Sequence, residues 1–359
     1  MTTTVERPKV ERTGVRRPEL LGLGALVGAG VLLVAVGTRI LTGPLAIVAL
    51  SLVLASVLML VVVAVTGTPE TRRKIAPYGL LKPGMLWLAL FYLAPLFTLL
   101  RLSLSTLPSR FAVEADFDWN FGNYVDAFTD FGPQFQRAFL YAGIATALTI
   151  AIGYPLAYVI AFRGGRYRTL LLGLVVIPFF TSYLIRTIAW RSLLSDEGVI
   201  VGLIESFHVS GLFETAGIMD NGRLINTPAA VVFGLTYNFL PFMVLPIYVS
   251  LEKIDVRLVD AAKDLYSTST SAFAKVVLPL SIPGIFAGTL LTFIPAAGDF
   301  VNSLYLGSPN TTMIGNSIQD QFLVQNNVPL ASAMSFVLMF IITVFVVIYS
   351  RFFGTEDLT

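Results

Sequence analysis

The most unusual chemical group in this sequence is the carboxylate of Asp299, which lies in a long apolar stretch at about 283–306. Prolines and glycines interrupt that stretch, so we expect a helix that is kinked or broken near Pro295. At 1.5 Å per residue, Asp299 lies roughly 24 Å from the start of the stretch. A carboxylate at that depth in a bilayer is costly and marks a candidate functional site, with an amine as a suitable partner. The alternative is a structural lock, in which Asp299 pairs with Arg186 or with a backbone amide.

Four more side chains are candidates to line a pathway near Asp299. Tyr183 and Trp190 stand seven residues apart on one helical face, where they can offer rings to a cation, although aromatic residues at span ends are more often interface anchors. Asn238 and Asn302 are polar groups in or near apolar stretches, and such groups line pores or bridge helices. Arg186 would repel a cation in a pore, so we expect it to pair or to extend outward toward water.

The sequence excludes several other kinds of chemistry. It contains no cysteine and a single histidine, His208, so thiol chemistry is absent and a metal site is not expected. No glycine-rich loop carries Gly-Lys before Ser or Thr, so the chain lacks the usual phosphate cradle of an ATPase. We therefore expect no cofactor in this chain, no catalytic residues and no nucleic-acid partner. If ATP drives the protein, then ATP and Mg are bound by another polypeptide.

Composition indicates an all-α polytopic membrane protein. The 359 residues are 55% hydrophobic and only 13% charged, whereas soluble domains carry about 25% charged residues. A membrane-spanning helix needs about 20 apolar residues. Eight stretches qualify: 20–37, 44–66, 84–104, 138–162, 169–190, 229–251, 283–306 and 330–350. We predict a cytoplasmic tail (1–19), an N-terminal hairpin with its linker (20–80), and a six-helix domain (81–359).

The positions of Lys and Arg predict the orientation of these spans. Most of the 24 basic residues fall on one side if both termini are cytoplasmic. The opposite side is acidic and contains two long predicted loops, 105–137 and 191–228. Acidic residues are commonly tolerated on the translocated side of a membrane protein. The alternative is that they favour a cationic solute or a docked binding protein.

A cytoplasmic segment at 252–282 is patterned for contact with a partner. Leu258, Ala261 and Ala262 recur at helical spacing and predict a short amphipathic helix. Ser and Thr residues follow and are typical helix caps, so we expect a second short helix that stops before Pro279. The alternative is an amphipathic helix that lies on the bilayer surface, but the segment lacks the wide basic face typical of such helices.

Within this segment, Asp260-Ala261-Ala262 followed by Leu278-Pro279 resembles the EAA loop of type I ABC importer permeases. The resemblance implies a MetI-like core of six helices and a coupling helix that docks on a separate ATPase. Asp260 replaces the usual Glu and keeps its charge, and Tyr266 replaces the usual Gly between the two short helices. The resemblance assigns ATPase coupling to Asp260, Ala261, Ala262, Asp264, Tyr266, Leu278, Pro279 and Gly284.

Four other stretches, 177–190, 240–248, 291–301 and 313–318, resemble spermidine/putrescine permeases of the PotB type. This resemblance covers about residue 80 to the C-terminus and implies a permease subunit that forms half of a polyamine pathway in the cell membrane. It also implies an ABC ATPase dimer (PotA-like), a second permease subunit (PotC-like) and an extracytoplasmic substrate-binding protein (PotD-like) as partners, besides membrane lipid.

Other functions remain open from the sequence. A permease of the same class can carry another organic cation or an organophosphonate. A secondary transporter or channel is a different class, and such transporters often have repeated halves with paired broken helices. The sequence shows no convincing internal repeat and only one strongly broken span, which disfavours that class.

Overall fold

The computed structural model describes residues 85, 87–109, 115–208, 210–264 and 268–353. The predicted tail, the N-terminal hairpin and Tyr266 lie outside these residues, so the count of eight spans stays a prediction. The chain divides into two units, 1–98 and 99–359. The described part of the first unit contains a π-helical turn, Ala89–Leu93, and the start of helix α1, Ala94–Ser103. The strands and helices from Ser105 onward belong to the second unit.

The described elements are helical apart from two short antiparallel strands. The strands are β1 (Ser105–Thr106) and β2 (Asp116–Phe117). The longer helices are α2 (Gly122–Arg163), α4 (Tyr183–Leu194), α7 (Pro228–Glu252), α10 (Leu278–Ala297) and α13 (Val328–Phe353). The shorter ones are α3 (Arg168–Val176), α5 (Val199–Ser206), α6 (Ser210–Thr215), α8 (Val256–Asp264), α9 (Ser269–Ala272), α11 (Val301–Leu306) and α12 (Ile314–Leu323). One-turn helices at Gly165–Tyr167, Ile177–Phe180, Phe273–Val277 and Pro309–Thr311 join or extend them.

In the described part of the chain, four helices are long and apolar enough to cross a membrane: Gly122–Arg163, Pro228–Glu252, Ser269–Ala297 and Val328–Phe352. A fifth span results if the bent pair Gly165–Phe180 and Tyr183–Ser206 is counted as one. These five correspond to the predicted spans from 138 onward. The predicted span at 84–104 contains a shorter apolar helix, Phe91–Ser103.

Helix α2 begins 16 residues earlier than predicted, so the expected loop at 105–137 is wrong from Gly122 onward. Its 42 residues extend about 63 Å, roughly twice the thickness of a bilayer core. Local contacts start the helix: the Asn120 side chain accepts a hydrogen bond from the Gly122 amide at 2.9 Å. Asn123 then donates to the backbone oxygens of Ser103 and Ser105, both at 2.9 Å. A local side-chain turn at Asn120 and the anchoring of Asn123 to the preceding segment, rather than apolar periodicity, therefore mark the beginning of α2.

The predicted straight span at 169–190 is also wrong, because the chain bends by 96° between Phe180 and Tyr183. Thr181 and Ser182 have extended backbones, with ψ of 152° and 135°. Pro178 cannot donate a backbone hydrogen bond, and the Thr181 hydroxyl donates to the Pro178 carbonyl at 2.7 Å. The regular helix therefore ends here. Among the described residues, this is one bent span, and a second backbone break follows the complete span Ser269–Ala297.

The second break is displaced from its predicted position near Pro295. The helix passes through Pro295, where a kink was expected, and ends at Ala297 with Gly298 as its cap. The backbone breaks at Gly298–Phe300 before α11 resumes at Val301. Pro295 is thus accommodated inside the helix, and the break follows three residues later.

The same span begins earlier than predicted. The second short helix was expected to stop before Pro279, but Ser269–Ala297 is continuous. A π-helical turn, Phe273–Val277, precedes Leu278-Pro279, and Leu278 has helical φ and ψ of −62° and −50°. Pro279 stands at the start of the next regular stretch, where its missing amide hydrogen costs little.

Helix α7 packs against both α2 and α10 at the centre of the bundle. Glycines on α10 permit the close approach. A Cβ added at Gly288 would lie 2.7 Å from Met243 Sδ, and one at Gly284 would lie 2.6 Å from the Pro246 carbonyl oxygen. This contact fixes α10 against α7, and thereby fixes the break at the end of α10.

Candidate functional site

The two helix breaks meet through one hydrogen bond. Tyr183 is the first residue of α4 after the first break, and Asp299 lies in the second break. The Tyr183 hydroxyl donates to Asp299 Oδ2 at 2.5 Å. Asp299 is only 8% exposed. The contact therefore joins two irregular backbone segments deep in the helical unit.

Asn302 completes the hydrogen bonds around the carboxylate. Its backbone amide donates to Asp299 Oδ1 at 2.8 Å, and its side-chain Nδ2 donates to the same oxygen at 3.2 Å. The same Nδ2 also donates to the Tyr183 hydroxyl at 2.6 Å. Of the two structural partners expected for Asp299, the structure therefore contains the backbone amide. All of these groups donate to Asp299, which acts only as an acceptor.

The orientation of Asn302 determines that of Asn238 on α7. Because Asn302 Nδ2 faces Asp299, its Oδ1 must face the other way, where it accepts from Asn238 Nδ2 at 3.1 Å. Asn238 Nδ2 also donates to the Thr187 hydroxyl at 3.3 Å. Asn238 is fully buried, and no hydrogen-bond donor from the described residues reaches its Oδ1. The series of hydrogen bonds thus runs from Asp299 through Asn302 to Asn238, and it ends at the unpaired, buried Oδ1 of Asn238.

Tyr183, Asn238, Asp299 and Asn302 form one hydrogen-bonded polar cluster. Thr187 also belongs to it and was not predicted from the sequence. It is fully buried, and its hydroxyl donates to the Tyr183 carbonyl at 3.1 Å. The available signal was its spacing of four residues from Tyr183, which places both side chains on one face of α4.

Two glycines allow the backbone to close around the cluster. A Cβ added at Gly234 would lie 2.5 Å from Asn302 Oδ1 and would also overlap Leu306 Cδ1. A Cβ added at Gly315 would lie 2.7 Å from the Gly298 carbonyl oxygen. Only glycine fits such contacts without displacement of its neighbours. The polar cluster is therefore tightly enclosed by α7, α11 and α12.

Arg186 differs from the expectation that it would pair or extend outward. It is 7% exposed, and the ion pairs among the described residues are Arg168–Glu252 and Arg223–Asp196. Its guanidinium carbon lies 5.2 Å from the ring centre of Phe179 and 5.7 Å from that of Tyr183. The expected pairing with Asp299 is therefore wrong. The break at Thr181–Ser182 explains the difference, because it brings the Phe179 ring beside the first turn of α4.

Phe179 belongs to a group of four aromatic rings that the sequence did not single out. The Phe179 and Phe242 rings are 5.0 Å apart at an angle of 90°. Phe239 lies 6.1 Å from both Phe242 and Tyr183. Tyr183 thus belongs to this aromatic cluster and to the polar cluster around Asp299.

Trp190 lies apart from the other candidate pathway residues. Its ring packs edge-on against Tyr237 at 5.2 Å, and it borders a small apolar core that includes Leu194, Leu224 and Leu306. The structure therefore brings together Tyr183, Asn238, Asp299 and Asn302, but not Trp190.

The 252–282 segment presents an exposed helix. In α8, Asp260, Ala261 and Asp264 are exposed, and Ala262 is half-buried. Leu258, on the predicted apolar stripe, is 51% exposed. Leu278 and Pro279 are also exposed, whereas Gly284 is buried in the contact with α7. Most residues assigned to coupling thus lie on an accessible surface with apolar groups.

A contact between helix ends places this segment in the bundle. Arg168 at the start of α3 forms a 3.0 Å ion pair with Glu252 at the end of α7, and its guanidinium lies 5.0 Å from the Tyr248 ring centre. The basic turn at Arg163–Arg168 and the 252–282 segment are therefore at the same end of the helices. Among the described residues no His, Asp and Glu side chains are grouped to hold a metal ion.

Comparisons with known proteins identify the relatives of this chain. Residues 149–354 match a family described as the binding-protein-dependent transport system inner membrane component. The spermidine/putrescine transport system permease protein PotB of Haemophilus influenzae is 36% identical over 267 residues, which cover 74% of this chain and 90% of that protein. PotB of Escherichia coli is 37% identical over 209 residues, which cover 58% of this chain and 73% of that protein.

A solved structure shows the same fold at lower sequence identity. The crystal structure of a bacterial ABC transporter involved in the import of the acidic polysaccharide alginate contains a chain that matches with a TM-score of 0.56. The match covers 80% of this chain and 98% of that chain at 17% identity. This likeness confirms the predicted all-α polytopic permease fold.

Proposed function

Because this chain belongs to the family of binding-protein-dependent transport system inner membrane components, we propose that it forms half of the pathway of an ATP-driven polyamine importer. The chain is an ABC transporter permease subunit and a multi-pass membrane protein. The solute class, spermidine or putrescine, is the proposed part. It is supported by the similarity to PotB along 90% of the length of that relative.

The observation that carries the proposal is the buried carboxylate of Asp299, which lies in one helix break and contacts the residue that follows the other. A carboxylate that is held only by donors can exchange one of them for the ammonium group of a solute at small cost. The Tyr183 hydroxyl is the exchangeable donor, because Tyr183 belongs to a different span, the one that bends at Thr181–Ser182. A negatively charged organophosphonate would instead be repelled, so the site favours an organic cation.

We further propose three protein partners and an orientation. The exposed surface of α8 docks on an ABC ATPase dimer, which binds ATP and Mg and performs the hydrolysis. A second permease subunit forms the other half of the pathway, and an extracytoplasmic substrate-binding protein delivers the solute at the opposite end. Both termini are cytoplasmic, in agreement with the distribution of Lys and Arg.

A secondary transporter is the second candidate, because two breaks that meet inside the bundle are typical of that class. The family membership supports the ABC permease instead. Dependence on ATP separates the two classes, since a secondary transporter uses an ion gradient and needs no ATPase partner.

The test is uptake of labelled spermidine and putrescine by the reconstituted complex with its ATPase, second permease and binding protein. We expect uptake that requires ATP and is lost in Asp299→Asn, whereas the exposed Asp320→Asn, a matched control, transports normally. Uptake of another compound without competition from either polyamine would reject the solute class. Uptake driven by an ion gradient without ATP would reject the ABC mechanism.

A further inference from the structure

We propose that Arg186 is a tethered cation that occupies an aromatic binding site for an alkylammonium group of the solute. This inference rests on the proposed function in its solute class, an organic cation. It adds a second contact point beside Asp299, formed by the rings of Phe179, Tyr183, Phe239 and Phe242, and it gives Arg186 the role of an occupant that the solute displaces.

The first argument is the cost of burying Arg186. A buried charge without a counter-charge costs several kcal/mol even after relaxation. Arg186 is 7% exposed, its Nε has no hydrogen-bond partner among the described residues, and the ion pairs in that part of the chain involve other arginines. A charged group retained inside a membrane protein at such cost is by default functional.

The second argument is what surrounds the guanidinium. Its carbon lies 5.2 Å from the Phe179 ring centre and 5.7 Å from the Tyr183 ring centre, within the range of cation–π attraction. The two rings come from opposite sides of the break at Thr181–Ser182. The site is thus created by the break, and movement of either half-span would open it.

The third argument is the match to an alkylammonium ligand. Aromatic faces attract organic cations, and Phe239 and Phe242 from α7 extend the aromatic surface beyond the two rings that touch Arg186. Tyr183 also donates to Asp299, so the aromatic site and the carboxylate share one residue. A polyamine carries several ammonium groups joined by apolar chains, and it can place one on Asp299 and another on the rings. Phe179 is 39% exposed, so one side of the site is accessible.

The consequence is a barrier to cations in the resting protein. While Arg186 occupies the rings, its charge repels any other cation from the aromatic site and from the neighbouring carboxylate. Entry of the solute requires Arg186 to leave. Removal of the charge should therefore have two effects at once: stronger apparent binding of the solute, and leakage of small ammonium ions without ATP.

The experiment uses the complete complex in proteoliposomes with Arg186→Gln, Phe179→Leu and the control Arg191→Gln, which removes an exposed arginine from the same helix. One measurement is efflux of labelled methylammonium without ATP, and the other is the spermidine concentration that gives half-maximal uptake. For Arg186→Gln we expect methylammonium efflux to rise about ten-fold. We also expect the half-maximal spermidine concentration to fall about ten-fold, because the guanidinium no longer competes with the solute for the aromatic rings. Adding Phe179→Leu to Arg186→Gln should raise the half-maximal concentration again, because the solute then uses that ring.

Three results would overturn the inference. Arg186→Gln that matches Arg191→Gln in both measurements would show that the charge is no barrier. Arg186→Gln that assembles but takes up no spermidine would show that Arg186 assists transport instead. If Arg186→Gln fails to assemble, Phe179→Leu alone tests the inference. This substitution removes a ring that contacts Arg186, so we expect it to increase methylammonium efflux. Unchanged efflux in Phe179→Leu would refute the site. Failure of the unchanged complex to take up spermidine or putrescine would reject the proposed solute, while methylammonium efflux would still test the barrier.

Discussion

Individual residues in the cluster around Asp299 are fixed by the direction of their hydrogen bonds. Asn302 must turn its Nδ2 toward Asp299, and Asn238 must then turn its Nδ2 toward Asn302 Oδ1. The unpaired Oδ1 of Asn238 is the forced result of this order. Asn238 therefore acts on the carboxylate through Asn302, as a positioning residue.

Asn238→Asp should disrupt this order, because it places an acceptor where a donor is required. Asn302 must then turn its amide away from Asp299 or leave two oxygens facing each other. We expect a loss of stability of about 1–3 kcal/mol, the usual cost of unsatisfied buried polar groups, together with loss of uptake. Thermal unfolding and spermidine uptake measure both effects, with the exposed Asn310→Asp as the matched control. If Asn238→Asp behaves like Asn310→Asp, the ordered chain of amides does not exist.

At this scale the sequence predicted polar identities but not their neighbours. Asp299, Asn238 and Asn302 were recognisable as polar groups in apolar stretches, and the structure joins them. The contact of Arg186 with the aromatic rings was not recognisable. Helical periodicity continues across 181–182 and gives no sign of a 96° bend. The direction of a side chain next to a break depends on tertiary contacts that one apolar stretch does not encode.

The elements that hold the cluster depend on the close contact of α7 with α10. Gly284→Ala should separate these helices, because its Cβ would lie 2.6 Å from the Pro246 carbonyl oxygen and 2.7 Å from Ser250 Oγ. Gly143 on α2 is the matched control, since nothing lies within 4 Å of a Cβ added there.

We expect Gly284→Ala to cost about 1–3 kcal/mol, as overpacking does, and Gly143→Ala to be neutral or slightly stabilising. Thermal unfolding of the purified complex compares the two. Equal stability of both variants would contradict the contact. The result also separates two roles of Gly284, because the sequence resemblance assigned it to ATPase coupling whereas the structure buries it between helices.

A second prediction at the level of elements concerns α8. Asp260→Lys reverses a charge on the exposed helix that we propose as the ATPase contact. We expect loss of transport-coupled ATP hydrolysis with normal membrane insertion, since the substituted surface is not part of the helical core. ATPase activity of the reconstituted complex in the presence of the loaded binding protein measures the effect. Asp320→Lys, an exposed charge reversal away from this segment, is the control, and unchanged coupling in Asp260→Lys would remove the docking assignment.

The pattern around α8 shows why elements were only partly predictable. The Ala-rich helix, its apolar stripe and its acidic residues were visible in the sequence, but the exposure of the stripe was not, and Leu258 is 51% exposed. Periodicity identifies a helix with an apolar face. It does not distinguish burial within the chain from burial against a partner.

For the whole molecule, apolar length predicted the positions of the spans from residue 138 onward, because the thickness of the bilayer sets a minimum length for every spanning helix. Length alone did not predict where spans begin or break. Helix α2 starts at Gly122 through the side chains of Asn120 and Asn123, and α10 is preceded by a π-helical turn that carries the helix into Pro279. Both features arise from local hydrogen bonding outside the reach of a hydropathy pattern.

The orientation of the molecule gives a prediction that uses the absence of cysteine from the sequence. A single cysteine can be introduced without interference from native thiols. Thr270→Cys lies in the exposed 252–282 segment, and Asn310→Cys lies in the exposed turn after α11. With cytoplasmic termini, these positions are on opposite sides of the membrane, because the chain between them forms one broken span.

We expect a membrane-impermeant maleimide to label Asn310→Cys in intact cells and Thr270→Cys only after permeabilisation. The reverse result would invert the orientation and place the exposed face of α8 where no ATPase could reach it. Labelling of both positions in intact cells would instead mean that Ser269–Ala297 and the break after it do not cross the bilayer.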